Sequence, residues 1–90
     1  MPLLIIRHKV KDFADWKTAY DAHAGARDKA GLTNGRVTHS VDDPNELVLI
    51  FDVTDLERAK AFGASDELRT AMQNAGVIDM PTVYFLTDPR

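Results

Sequence analysis

The stretch Leu47-Val48-Leu49-Ile50-Phe51-Asp52-Val53, LVLIFDV, decides the fold. Five large apolar residues run together before Asp52. The run has the length of a strand and is too short for a usual helix. A strand turns successive side chains to opposite faces, so Leu47, Leu49 and Phe51 look one way and Val48, Ile50 and Asp52 the other. Both faces are mostly apolar and both need cover. Leu3-Leu4-Ile5-Ile6 has the same two-sided character. Two such strands in 90 residues imply a sheet covered on one side by the chain's own helices and on the other by something else.

Working outward, Leu3 to Val10 reads as the first strand, turning polar in its second half. Asp12 is a good N-cap and Asp15 sits in the first turn, where the helix dipole favours a carboxylate. From Phe13 the pattern is helical: Phe13, Trp16, Tyr20, His23, Ala24 and Arg27 share one stripe. Gly31 closes this helix, expected over residues 13–30, with Leu32 packing back on it. Asn34-Gly35 reads as a turn. Arg36 to Val41 reads as a second, edge-like strand, and Asp43-Pro44-Asn45 as the turn of a hairpin into LVLIFDV.

Beyond the central strand, Thr54 with Glu57 matches a capping box. Leu56, Ala59 and Phe62 begin an apolar stripe. Ser65 reads as a second N-cap, with Leu68, Ala71, Met72 and Ala75 continuing the stripe to Gly76. This second helix is expected to bend or break near Gly63 to Ser65. Pro81 opens a last strand, Thr82 to Thr87, and Asp88-Pro89-Arg90 is a tail.

The order is βαββαβ, the ferredoxin-like split βαβ arrangement, an α+β fold with a four-stranded antiparallel sheet in the order 4-1-3-2. Right-handed crossovers place both helices on one face. The arrangement puts strands one and three in the middle, where the two doubly apolar segments belong. The chain is expected to be one domain, residues 1–90. Its other sheet face would be a contiguous apolar surface, which calls for a partner. A homodimer through the sheet face, burying on the order of 800 Å² per copy, supplies it.

Composition narrows the function. Eleven basic against fourteen acidic residues give a net charge of −3. No basic run offers a hold on nucleic acid or an anionic membrane, and the sheet lacks the exposed aromatics that stack bases. There are no cysteines, hence no disulfide, thiolate nucleophile or iron–sulfur ligand. That fits a cytoplasmic protein. No segment approaches transmembrane length. No phosphate-cradling glycine loop is present and no serine has a nucleophile's context. A metal site is not expected: strand three separates His8 from His39 by roughly 9 to 10 Å, too far for ligands that converge at about 2 Å. No cofactor is called for.

The residues with chemical potential lie on the first helix. Trp16, Tyr20, His23 and Arg27, at spacings of four, three and four, are neighbours beside Phe13. A plain core stripe would hold Leu, Ile and Val. This one holds an indole, a phenol, an imidazole and a guanidinium, which suits a pocket for a small aromatic or carbonyl-bearing ligand. Arg27 could hold a carboxylate, enolate or phenolate. His23 could move a proton near neutral pH. The plainer reading makes Trp16 and Tyr20 core aromatics and Arg27 a snorkelling cation. His8 is the second candidate. It joins the pocket if its face meets the first helix and an interface if it meets a partner sheet; a hydrogen-bonded histidine at a sheet end is the favoured assignment. Asp52 could help line a pocket or be a solvated strand-end group.

The stretches RHKVKDFADWKTAYDAH (7–23), DDPNELVLIFDV (42–53) and LRTAMQNAGV (68–77), with this layout, resemble small members of the dimeric α/β-barrel superfamily. These include antibiotic-biosynthesis-monooxygenase-like proteins and short cyclase-like or stress-response barrels. The likeness spans nearly the whole chain. It implies two sheets packed face to face and, in several members, a pocket for a small aromatic molecule between helices and sheet. It further implies either a cofactor-independent oxygenase, cyclase or isomerase on an aromatic or polyketide-like molecule, or a non-catalytic ligand-binding or stress-response dimer. In the enzyme, Arg27 would steady an anion and His23 or His8 would shuttle a proton.

Overall fold

A computed structural model describes residues 1–89; of the expected tail, Arg90 lies outside the described residues. Four strands form one antiparallel sheet: β1 (Leu3–Lys9), β2 (Leu32–His39), β3 (Glu46–Val53) and β4 (Thr82–Leu86), in the order β2-β3-β1-β4. This is the expected ferredoxin-like order, with the two doubly apolar strands central. Among the described residues no helix is long and apolar enough to cross a membrane.

Strand alternation sorts the side chains. Leu4, Ile6 and His8 of β1 and Leu47, Leu49, Phe51 and Val53 of β3 are buried under the helices, together with Val10 just past β1. The register sets Leu4 opposite Phe51, Ile6 opposite Leu49 and His8 opposite Leu47. Trp16, Ala30, Leu32 and Ala59 complete this core. On the other face Leu3, Ile5, Val48 and Ile50 are half-buried, and Tyr84 and Leu86 of β4 are exposed beside them.

Both expected helices are divided. The first is α1 (Phe13–Ala22) and α2 (Ala24–Lys29), so the continuous helix over residues 13–30 is corrected. Asp12 caps α1 as anticipated, its carboxylate accepting from the Asp15 N–H at 3.0 Å. The break falls at His23, whose φ of −102° and ψ of 16° leave the helical region and which makes no capping bond for α2. Gly25, a poor helix former, follows two residues later.

The second is α3 (Leu56–Gly63) and α4 (Asp66–Asn74), broken where the glycine and serine predicted it. Ser65 caps α4, accepting from the Leu68 N–H at 3.1 Å. The α3 cap is one residue later than expected. Asp55, not Thr54, accepts from the Arg58 N–H at 3.1 Å. The Thr54 hydroxyl instead donates to the Gly31 carbonyl at 3.1 Å, tying the end of α2 to the start of α3.

β2 also begins earlier than expected and stops at His39. Gly31, at φ 78°, ends α2 so tightly that Leu32 already pairs with Val53. Asn34-Gly35 is therefore no turn. It is a bulge within β2, where the register shifts between Thr33 and Arg36 and Asn34 takes the left-handed φ of 51°. The Asp43-Pro44-Asn45 turn is as read: the Asp43 carboxylate accepts from the Asn45 N–H at 2.9 Å. After α4, Val77 bridges to Val10, and Asp79 accepts from the Lys9 N–H at 2.8 Å and from Arg7 at 3.0 Å.

Candidate functional site

A cavity of about 280 Å³ lies between the α1–α2 unit, α4 and the sheet. Its floor is the sheet: Leu49 and Phe51 of β3, Leu32 of β2 and His8 of β1, all buried. Tyr20, His23 and Arg27 line it on one side, and Leu68, Ala71, Met72 and Ala75 of α4 face them. The exposed side chains His23, Glu67, Thr70 and Asn74 stand at its mouth. The volume exists because α4 buries no residue of its own, so its apolar stripe leaves space above the sheet.

His8 lies on the helix-facing side, 1% exposed, and neither ring nitrogen has a hydrogen-bond partner among the described residues. The favoured assignment, a hydrogen-bonded histidine at a sheet end, is thus overturned. Trp16 packs edge-on against the imidazole, with centroids 5.9 Å apart. Burial pushes the His8 pKa below its ordinary 6.5, assisted by Arg7 and opposed by the Asp79 carboxylate. The ring is therefore mostly neutral at pH 7, with one nitrogen carrying the proton and the other able to accept one.

The helix break shapes the rest. Arg27 turns back so that Nη1 donates to the Tyr20 carbonyl at 2.7 Å, while Cζ lies 3.6 Å from the Tyr20 ring centroid. One of five guanidinium N–H groups is used this way, and the others make no hydrogen bond among the described residues. Tyr20 in turn stacks on Trp16, centroids 4.8 Å apart. The result is a layered stack of guanidinium, phenol and indole, of which the first two line the cavity. Burial raises the Tyr20 pKa, with the Arg27 and Lys17 charges acting against it, so the phenol is un-ionised at neutral pH.

Of the sequence candidates, His8, Tyr20, His23 and Arg27 come together around the cavity. Trp16 and Phe13 do not line it. Trp16 is 3% exposed behind Tyr20, and Phe13 packs between Trp16 and His39, about 6.0 Å from each. Asp52 is away from it altogether: it lies on the other sheet face, where its carboxylate accepts from Asn34 at 2.8 Å. A strand residue one place from Phe51 must face the opposite way, so a role for Asp52 in this pocket is corrected.

The α4 residues were the omission. Leu68, Ala71, Met72 and Ala75 read as an apolar stripe with no hint that it stood clear of the sheet. Glu67, Thr70 and Asn74, at i, i+3 and i+7, were the available signal, because they place polar groups beside that stripe.

No protein-family model matches the sequence, and comparison with curated proteins gives no match. Solved structures match over nearly the whole length. One named as an antibiotic biosynthesis monooxygenase is 15% identical, with a TM-score of 0.74 and 100% of each chain covered. A protein from Bordetella bronchiseptica, named as a candidate antibiotic biosynthesis monooxygenase, is 15% identical, with a TM-score of 0.79 and coverage of 99% of this chain and 97% of that one. SnoaB from Streptomyces nogalater, a cofactor-independent oxygenase, is 16% identical, with a TM-score of 0.74 and coverage of 99% and 93%. At these identities the likeness is one of fold: the chain has the ferredoxin-like fold of antibiotic-biosynthesis-monooxygenase-like proteins, as its resemblance implied.

Proposed function

We propose that the chain is a cofactor-independent monooxygenase of a small, oxidisable aromatic, held in the cavity between helices and sheet. The observation that carries this reading is His8: a buried imidazole with no partner on either nitrogen among the described residues, set in the floor of an apolar cavity that Arg27 also lines. Buried polar groups are nearly always hydrogen-bonded, and those that are not cluster where chemistry is done. The structural neighbour SnoaB, itself a cofactor-independent oxygenase, supports the reaction class.

Size limits the substrate. An apolar cavity of roughly 150 Å³ holds a benzene ring, so about 280 Å³ suits one or two fused rings. His8 removes a proton from an acidic C–H or O–H of the ligand, and Arg27 holds the resulting enolate or phenolate by charge-assisted hydrogen bonds. That anion is the electron donor to O2. In the complete reaction a ring CH2 becomes C=O, one oxygen atom enters the product and the other leaves as water, so the substrate supplies all four electrons. The un-ionised Tyr20 keeps its proton and, with both ring faces covered by Trp16 and Arg27, bounds the ligand with its edge. Walls of Leu49, Phe51, Leu68 and Met72 keep water from the carbanion.

The sheet's outer face completes the proposal. Leu3, Ile5, Val48, Ile50, Tyr84 and Leu86 form a contiguous apolar surface, and a second copy of the chain covers it in a homodimer.

The test uses two-ring hydroxyaromatic ketones with an oxidisable ring CH2, such as 1-tetralones carrying a ring hydroxyl, with oxygen uptake and 18O incorporation read by mass spectrometry. Turnover that consumes O2, survives exhaustive chelation and disappears in His8→Phe supports the oxygenase. Saturable binding without oxygen uptake sinks it and leaves the second reading, a non-catalytic ligand-binding dimer, which the apolar lining favours.

A further inference from the structure

Gly35 lies outside the cavity lining, yet two lining groups press on it. A Cβ placed on Gly35 would stand 2.8 Å from Phe51 Cε1, 3.0 Å from Phe51 Cδ1 and 3.1 Å from the Tyr20 hydroxyl. Contacts under 3.0 Å do not occur at real Cβ atoms, and ordinary contact begins at 3.4 Å. The need for glycine here is purely one of space. Gly35 does not share the left-handed backbone of Gly31 and Gly76, so alanine could adopt its conformation without strain. The bulge at Asn34 brings this bare backbone against the two rings.

We infer that Gly35 is a positioning residue that sets the depth of the cavity, and hence the largest ring system it accepts. Phe51 is 3% exposed and packed by the core, so the open volume beside its ring is the cavity itself. Tyr20 is held by its stack on Trp16 and by Arg27 on its other face. Any side chain at position 35 therefore drives the Phe51 edge and the Tyr20 hydroxyl inward. Glycine admits two fused rings, and alanine shortens the site to one. Gly35 touches no ligand and acts through Phe51 and Tyr20 alone.

The ligand arm of the test rests on the binding reading above; the structural arm does not. Binding of phenol and of 1-naphthol is measured by titration calorimetry on the wild type, Gly35→Ala and the double variant Gly35→Ala/Phe51→Leu. Gly35→Ala is expected to weaken 1-naphthol about tenfold and phenol less than about threefold, as overpacking by one methyl does. The double variant, with a smaller side chain at position 51, restores 1-naphthol. A merely destabilising substitution would weaken both probes alike and would not be rescued. Equal losses, or no loss, overturn the inference. Crystal structures of the wild type and Gly35→Ala provide the second arm: a smaller cavity with the Phe51 ring displaced into it upholds the inference, and an unchanged cavity with β2 moved outward overturns it. Should the wild type bind neither probe, the ligand reading fails while the crystallographic comparison still decides the role of Gly35.

Discussion

His8 concentrates the tension between folding and chemistry in a single side chain. Its two nitrogens are withdrawn from water and gain no partner from the described residues, a cost that an apolar residue of similar size would not carry. His8→Phe is therefore expected to be as stable as the wild type at pH 7, or more so, while losing any proton transfer. The pH dependence follows from the sign of the shift. The folded-state pKa lies below the ordinary 6.5, so on acidification the unfolded chain takes up the proton first. Stability from the neutral imidazole is full above about pH 6.5 and is lost as pH falls from there towards the folded value. Thermal unfolding between pH 7.5 and 5 should show a falling Tm in the wild type and a flatter profile in His8→Phe. Asp79 works in a separate, more acid window. Its pKa is held below 3.8 by the Lys9 N–H, with Arg7 contributing, so its stabilisation disappears only as pH drops through that lowered value. The orientation of His8 was almost legible. Leu3 and Leu4, or Ile5 and Ile6, do not distinguish the strand's faces, but Arg7 and Lys9 alternate with His8 and Val10, and charged neighbours on one face place the imidazole on the other.

Elements were read more securely than their ends. LVLIFDV and LLII were legible as strands because alternation and length act over a whole segment, and the glycine and serine at 63 to 65 were enough to divide α3 from α4. Ends depend on single hydrogen bonds. Thr54 and Asp55 are both good caps, and only the Gly31 carbonyl, brought close by the fold, decides that the threonine hydroxyl is engaged elsewhere. The two substitutions should differ accordingly. Asp55→Ala removes the α3 cap and is expected to cost about 1 kcal/mol, whereas Thr54→Ala loses one half-exposed tether and should cost about half as much; urea unfolding of both variants measures the difference. Asn34-Gly35 misled for a similar reason. The dipeptide does mark a left-handed backbone position, but a bulge uses the same conformation as a turn, and only the pairing of Leu32 with Val53 tells them apart. The helix break at His23 carried no proline or cap to announce it, and it is what folds Arg27 back over Tyr20.

At the scale of the whole molecule, the question is what covers the outer sheet face. Ile5 and Ile50 are directly paired at its centre, with Tyr84 on the far side of Ile5. A charge at position 50 is tolerable in a wetted surface and intolerable in a packed one. If the proposed homodimer forms, light scattering at micromolar concentration gives twice the 10.0 kDa chain mass for the wild type, and Ile50→Glu reduces it to the single-chain value. A wild type that already runs at single-chain mass removes the dimer. The same balance of burial gives α4 a distinctive position. Every strand but β4 contributes fully buried residues and α4 contributes none, so its amides are held by local hydrogen bonds and one serine cap. Its backbone should exchange deuterium well before the β1 and β3 amides do, by hinging outward while the sheet stays intact. Guests would then come and go at the tempo of that hinge, and their residence time would report how often one short helix swings aside.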